Sequence, residues 1–257
     1  MNSKDARIDR PEADMGPGSA CVWAGEQALS REGTQIAVER SVAFGYRDLD
    51  HWLNVAHGRS PGHIYSRNTN PTVDALEAKV RVLEAAPDSA AFSSGMAAIS
   101  NTLFALVSPG ERVVSLKDSY GGTSKLFLEV LPRFRIDVSL CETTDHDAIE
   151  RTISAGCRVL YLESPTNPTL KVLDLARLAE AAHRVGALVL VDNTFATPIN
   201  QNPLALGADL VLHSATKFLG GHADALGGVL CGGAELVRQV FNFLRSPARH
   251  LTPRRRI

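Results

Sequence analysis

A chain of 257 residues, 44% of them hydrophobic, can bury one sizeable core or one core with a small second domain. Its formal net charge of −1 offers nothing global to nucleic acid, and its apolar runs fall far short of the ~20 residues of a bilayer-spanning helix. The start of the chain holds no apolar segment, and the cysteines at 21, 141, 157 and 231 form no CxxC pair. The expectation is a cytoplasmic protein with free thiols, no metal site, no nucleic-acid partner and no membrane contact.

Residues 1 to about 30 are polar, weakly patterned and interrupted by Pro and Gly, and read as an arm with little structure of its own. Tyr65-Ser66-Arg67 and Asn70-Pro71-Thr72 precede Val73, Leu76, Val80 and Leu83, whose spacing predicts a helix opened by Pro71. Ser89–Phe92 is a short strand. Ser93-Ser94-Gly95-Met96 then opens a helix to about Val107, stopped by Pro109-Gly110. Small residues at that start leave the N–H groups of Gly95 and Met96 free for an anion, though many helices begin in this way. Strands are expected over 112–116, 136–140 and 158–163. Helices are expected from Tyr120 to about Val130, over 145–154, and from the cap Asp174 to the stop Gly186. Asn167 lies in the irregular loop Ser164–Pro168, where turn geometry alone explains an Asn.

Ala187–Val191 is a continuous apolar run, as expected of a strand buried on both faces, and it ends in Asp192. A loop to Leu206 leads to the strand Leu210–Leu212, and Ser214-Ala215-Thr216-Lys217 follows. A last strand is expected near 225–231 and a last helix over about 234–244. Strands alternating with helices give an α/β fold with a mostly parallel mixed sheet flanked by helices. Asp192 and Lys217 then stand at neighbouring strand ends, the edge where open α/β sheets bind ligands. A lone lysine is most often a surface charge. A lysine beside an acid at this edge suits pyridoxal phosphate: the amine takes the cofactor aldehyde, and the acid keeps the ring nitrogen protonated.

Ser-Ala-Thr-Lys-Phe with Gly-His-Ala-Asp (214–218 and 221–224) resembles the lysine signature of the Cys/Met-metabolism pyridoxal-phosphate enzymes, the cystathionine γ-synthase-like transsulfuration enzymes of fold type I. Tyr-Ser-Arg-x-x-Asn-Pro-Thr and Glu-Ser-Pro-Thr-Asn-Pro are similar to further motifs of that family, in the same order. The resemblance implies a seven-stranded sheet with one antiparallel member and pyridoxal 5′-phosphate as cofactor. It makes Lys217, Tyr120 and Asp192 the catalytic residues. Lys217 carries the cofactor and moves protons, Tyr120 stacks on its ring, and Asp192 pairs with the ring nitrogen. It gives the phosphate to Gly95, Met96, Ser214 and Thr216, and sets Asn167 near the phenolic oxygen. Tyr65 and Arg67 are implied to reach the phosphate of a neighbouring copy, so a homodimer or dimer of dimers follows.

The implied reaction is γ-replacement on an activated homoserine, with a small amino acid as substrate. γ-Elimination and a non-catalytic cofactor-binding remnant remain alternatives. Gly122 stands where methionine γ-lyases carry a cysteine, which argues against a dedicated methionine lyase. Ser214-x-x-Lys217 also satisfies an acyl-serine pattern, but no Lys-Thr-Gly or Ser-Asp-Asn accompanies it. The resemblance runs from about 20 to 246, whereas family members continue into a C-terminal domain. The organisation expected is an N-terminal segment over 1–60, a cofactor-binding large domain over 61–245, and an aberrant, disordered basic tail over 246–257 that marks a truncated or frame-shifted end.

Overall fold

The computed structural model describes residues 15–24 and 36–245. The basic tail over 246–257 and most of the early arm lie outside the described residues. The chain packs as two compact units, one up to Leu83 and one from Glu84 onward.

The first unit holds α1 (Pro17–Trp23), α2 (Leu49–Ala56) and α3 (Pro71–Leu83). Within the expected unstructured arm, α1 is a departure. Pro17 stands at its first turn, where a fixed φ suits a helix and a missing N–H costs nothing. Ala20 is buried, and Lys79 of α3 donates to the Val22 carbonyl at 3.0 Å. At the start of α3, Asn70 Oδ1 accepts the Thr72 N–H at 2.9 Å.

The second unit is a seven-stranded sheet of β1 (Asp88–Phe92), β2 (Arg112–Leu116), β3 (Asp137–Cys141), β4 (Val159–Glu163), β5 (Leu188–Asp192), β6 (Leu210–Ser214) and β7 (Gly228–Gly232). The order across the sheet is β1-β7-β6-β5-β4-β2-β3. Pairs among β2 to β6 are parallel, and β7 alone runs against its neighbours β6 and β1. The central strands carry almost unbroken apolar runs because both faces are covered. One face packs Tyr161, Leu190 and Leu212 under α4 (Gly95–Leu106) and α9 (Ala234–Arg245). The other packs Leu160, Leu162, Val189 and Val191 under α6 (His146–Ser154) and α7 (Leu175–Arg184). Each fully buried Leu or Val contributes about 1.5–3 kcal/mol.

Asp145 and Asp174 cap α6 and α7, accepting the N–H groups of Ala148 at 2.8 Å and Arg177 at 3.0 Å. The helix expected from Tyr120 to Val130 is regular only over α5 (Gly121–Lys125) and widens to a π-turn over Leu126–Val130. Pro132 explains this, since it offers no N–H and its ring crowds the carbonyl four residues back. The loop expected after Asp192 contains a helical turn, α8 (Thr197–Asn200), and a 3-10 turn over Pro203–Leu206. No helix among the described residues is long and apolar enough to cross a membrane.

Candidate active site

Side chains alternate along a strand, so Glu163, Asp192 and Ser214 end the face that carries α4. With the loops after β1 and β2 they surround a cavity of about 180 Å³ at the carboxyl edge of the parallel strands. Its lining brings together Gly95, Met96, Tyr120, Asn167, Asp192, Ser214, Thr216 and Lys217, all expected from the sequence.

Asp192 is held from both sides. Its Oδ1 accepts the Thr194 N–H at 3.0 Å and the Thr194 hydroxyl at 2.5 Å, and its Oδ2 accepts the Tyr161 hydroxyl at 3.2 Å. Thr194 Oγ1 in turn accepts the Ser214 N–H at 2.8 Å, which ties the acid to the start of the lysine turn. Burial raises the Asp192 pKa above the usual carboxylate range, opposed by the Thr194 bonds. Tyr161 is fully buried against Phe127, and burial followed by the Asp192 charge pushes its phenol well up.

Glu163 pairs with Asp192 across β4 and β5. Its Oε2 accepts the Tyr120 N–H at 2.8 Å and its Oε1 the Asn167 N–H at 2.7 Å. Burial, and then the neighbouring Asp192 charge, raise its pKa to about 7. The cavity floor therefore carries two acids with a shortage of positive charge.

Ser94 caps α4, its hydroxyl oxygen accepting the Ala97 N–H at 3.1 Å. The N–H groups of Gly95 and Met96 belong to the first turn, which has no acceptor within the helix. A Cβ on Gly95 would fall 2.7 Å from Ser214 Cβ, and one on Gly228 would fall 2.2 Å from the Ser94 carbonyl oxygen. Glycine at both positions lets the helix start sit directly on β6 and β7. After β6 the chain turns, with Lys217 N donating to Ser214 O at 3.1 Å and Gly220 N to Ala215 O at 2.8 Å. The Lys217 side chain is exposed, an amine on the cavity rim. Thr216 Oγ1 accepts the Gly227 N–H at 3.1 Å. A Cβ on Gly122 would lie 2.7 Å from the Tyr120 ring and 2.9 Å from Met96 Sδ.

Tyr65 and Arg67 belong to the first unit. Both are exposed there, with the Arg67 guanidinium 5.3 Å from the centre of the Tyr65 ring. Glu163, Thr194 and Phe195 line the cavity without having been singled out in the sequence. Glu163 carried a readable signal: like Asp192, it is the acid that ends an apolar strand.

An amine and an acid at adjacent strand ends, on a sheet with one reversed strand, place the chain in the class of fold type I pyridoxal-phosphate enzymes. Residues 19–253 match the family described as Cys/Met metabolism PLP-dependent enzyme, and the chain belongs to that family. It is 44% identical over 189 residues to the cystathionine gamma-lyase of Bacillus subtilis (strain 168), covering 74% of this chain and 50% of that protein. It is 42% identical over 196 residues to the O-succinylhomoserine sulfhydrylase of Pseudomonas aeruginosa, covering 76% of this chain and 49% of that protein. A crystal structure of cystathionine gamma synthase from Xanthomonas oryzae pv. oryzae, in complex with aminoacrylate and cysteine, superposes with a TM-score of 0.83 at 32% identity, covering 91% of this chain and 59% of the other. The chain thus spans about half the length of the curated relatives it matches.

Proposed function

We propose that the chain binds pyridoxal 5′-phosphate in the β4–β6 cavity and serves a γ-replacement reaction of sulfur amino-acid metabolism on an activated homoserine. The observation that carries this reading is the cavity itself, which gathers an amine, two buried acids, a half-exposed tyrosine ring and a helix start on one edge. The donor set suits the cofactor. Two acids with raised pKa values favour a positive partner, which a protonated pyridine nitrogen supplies, and a helix N-terminus favours a phosphate. When bound, pyridoxal phosphate supplies an electron sink for charge developing on substrate carbons.

In this reading Lys217 Nζ anchors the cofactor and then takes and returns protons at the substrate carbons. Asp192 would pair with the ring nitrogen, its carboxylate oriented by Tyr161 and Thr194. Tyr120 would stack on the ring, and Asn167 would stand by the phenolic oxygen. The N–H groups of Gly95 and Met96, with the Ser214 and Thr216 hydroxyls, hold the phosphate. Tyr65 and Arg67 complete the phosphate site of a second copy, Arg67 through its planar fork. Residues 61–245 form the cofactor-binding part and 1–60 the segment that precedes it.

The sulfhydrylase relative supports replacement, and the cystathionine gamma-lyase relative, at slightly higher identity, supports elimination as the second reading. Packing of the Tyr120 ring over Gly122 leaves no room for a side chain there without moving that ring. The test is to add pyridoxal phosphate to the purified chain, record the visible spectrum, reduce with borohydride and map the labelled peptide. A visible band with the label on Lys217 is expected. A folded chain that takes up neither colour nor label sinks the proposal. An activated homoserine ester supplied with a thiol then separates the reactions, since replacement yields a thioether amino acid and elimination a keto acid.

A further inference from the structure

Glu163 is the one cavity-lining acid left without a task in that reading. Both of its oxygens turn away from bulk water and accept main-chain N–H groups, one from Tyr120 and one from Asn167. Those residues stand on different loops, one after β2 and one after β4, and each carries a side chain onto the cavity. A second tie joins the same two loops, Lys171 of the loop after β4 donating to Asp118 of the loop after β2 at 2.6 Å, but neither of these residues lines the cavity.

We infer that Glu163 is a positioning residue, a carboxylate clamp that fixes the Tyr120 wall of the cavity against the Asn167 wall. The inference rests on the cofactor reading for its consequence, but not for its geometry. Only an ionised carboxylate suits both bonds. A glutamine amide keeps one acceptor and turns a donor toward the other N–H, and a protonated carboxyl keeps one good acceptor beside a hydroxyl oxygen that accepts only weakly. The clamp therefore closes when the proton leaves. The groups facing Glu163 set when that happens: Asp192 from β5, Tyr161 from its own strand, Tyr120 from the loop after β2 and Lys217 from the turn after β6. Burial and Asp192 hold the proton on to about pH 7, so the clamp is poised where a small change of charge moves it. A cation beside Asp192 offsets the repulsion and favours release. Cofactor binding and closure of the two walls then support each other.

Hydrogen exchange on the cofactor-free chain tests the clamp directly. Glu163→Gln is expected to lower protection roughly tenfold around Tyr120 and Asn167 together, with β5 unchanged. In the wild type, protection corrected for intrinsic rates is expected to rise in both segments relative to β5 as pH passes upward through about 7. Protection that is flat with pH overturns the clamp, and so does a folded Glu163→Gln chain with unchanged protection. If that variant does not fold, the wild-type pH series decides alone. In pyridoxal phosphate titrations the wild-type affinity should show a step between pH 6 and 8 that the variant lacks. A chain that shows the clamp but binds no pyridoxal phosphate loses the proposed function and keeps this inference.

Discussion

On the α4 face of the sheet edge, Asp192 and Glu163 border an open cavity. On the opposite face of the same strand ends, Glu84, His213, Asn193 and Gln201 bond to one another away from water. His213 Nε2 and Glu84 Oε1 are 2.5 Å apart with both side chains fully buried. Asn193 Nδ2 donates to the same oxygen at 2.9 Å, and Gln201 Nε2 donates to Asn193 Oδ1 at 2.9 Å. Asp192 and Asn193 are neighbours in sequence, so one strand end feeds both clusters. In the inner cluster Glu84 Oε1 is met by both His213 and Asn193, while Glu84 Oε2 and His213 Nδ1 are buried without a hydrogen-bond partner. The cavity cluster places two acids together and lets burial raise them. Such an arrangement is destabilising unless something positive arrives, which is what distinguishes a binding site from a structural network.

Substitutions should separate the two. The largest effect belongs to Lys217→Ala, which is expected to abolish borohydride-fixed label altogether while the fold is kept, as read by circular dichroism and mass mapping. Next comes Glu84→Ala on the inner face. It strands a buried His213 and is expected to cost about 3–5 kcal/mol, measured by urea unfolding. A change under ~1 kcal/mol would mean that the inner network is not structural.

The cavity acids give a pH effect of opposite character. Folded Glu163 keeps its proton to about pH 7, whereas an unfolded carboxyl with the ordinary value of 4.5 releases it earlier. Between those values the folded chain binds more protons, so stability is greatest in acid and falls as pH rises through 7. The loss is up to about 3 kcal/mol in the cofactor-free chain, and Asp192, also raised, adds in the same direction. Urea unfolding at pH 5 and pH 8 reads this slope, and Glu163→Gln should flatten it. A wild type more stable at pH 8 than at pH 5 would break the comparison between the faces. The smallest effect is expected from Gly122→Ala, which displaces the Tyr120 ring. It should weaken pyridoxal phosphate binding a few-fold and alter stability by less than about 1 kcal/mol.

Most of the fold was legible because its signals are local. Apolar runs of the β4 and β5 kind announce doubly covered strands, and Asp174 and Pro71 announce helix starts. The π-turn before Pro132 and the helix α1 were not read, since each depends on how one proline sits in a turn rather than on hydrophobic period. In the site, Asp192 and Lys217 followed from strand ends and family resemblance. The acid that ends β4 is as visible as Asp192, but its bonds to Tyr120 and Asn167 join separate loops and leave no local pattern. The Glu84–His213 pair joins residues 129 positions apart, and no single-sequence pattern reports such a contact.

The most direct test of the cavity cluster as a binding site is unfolding with and without pyridoxal phosphate. At a concentration a hundred times its dissociation constant, the wild type should gain about 2.7 kcal/mol. At the same concentration Asp192→Asn should gain almost nothing, because the buried acid proposed to receive the ring nitrogen is gone. An equal gain in both proteins would contradict the account, since the cofactor would then owe nothing to the acid at the end of β5.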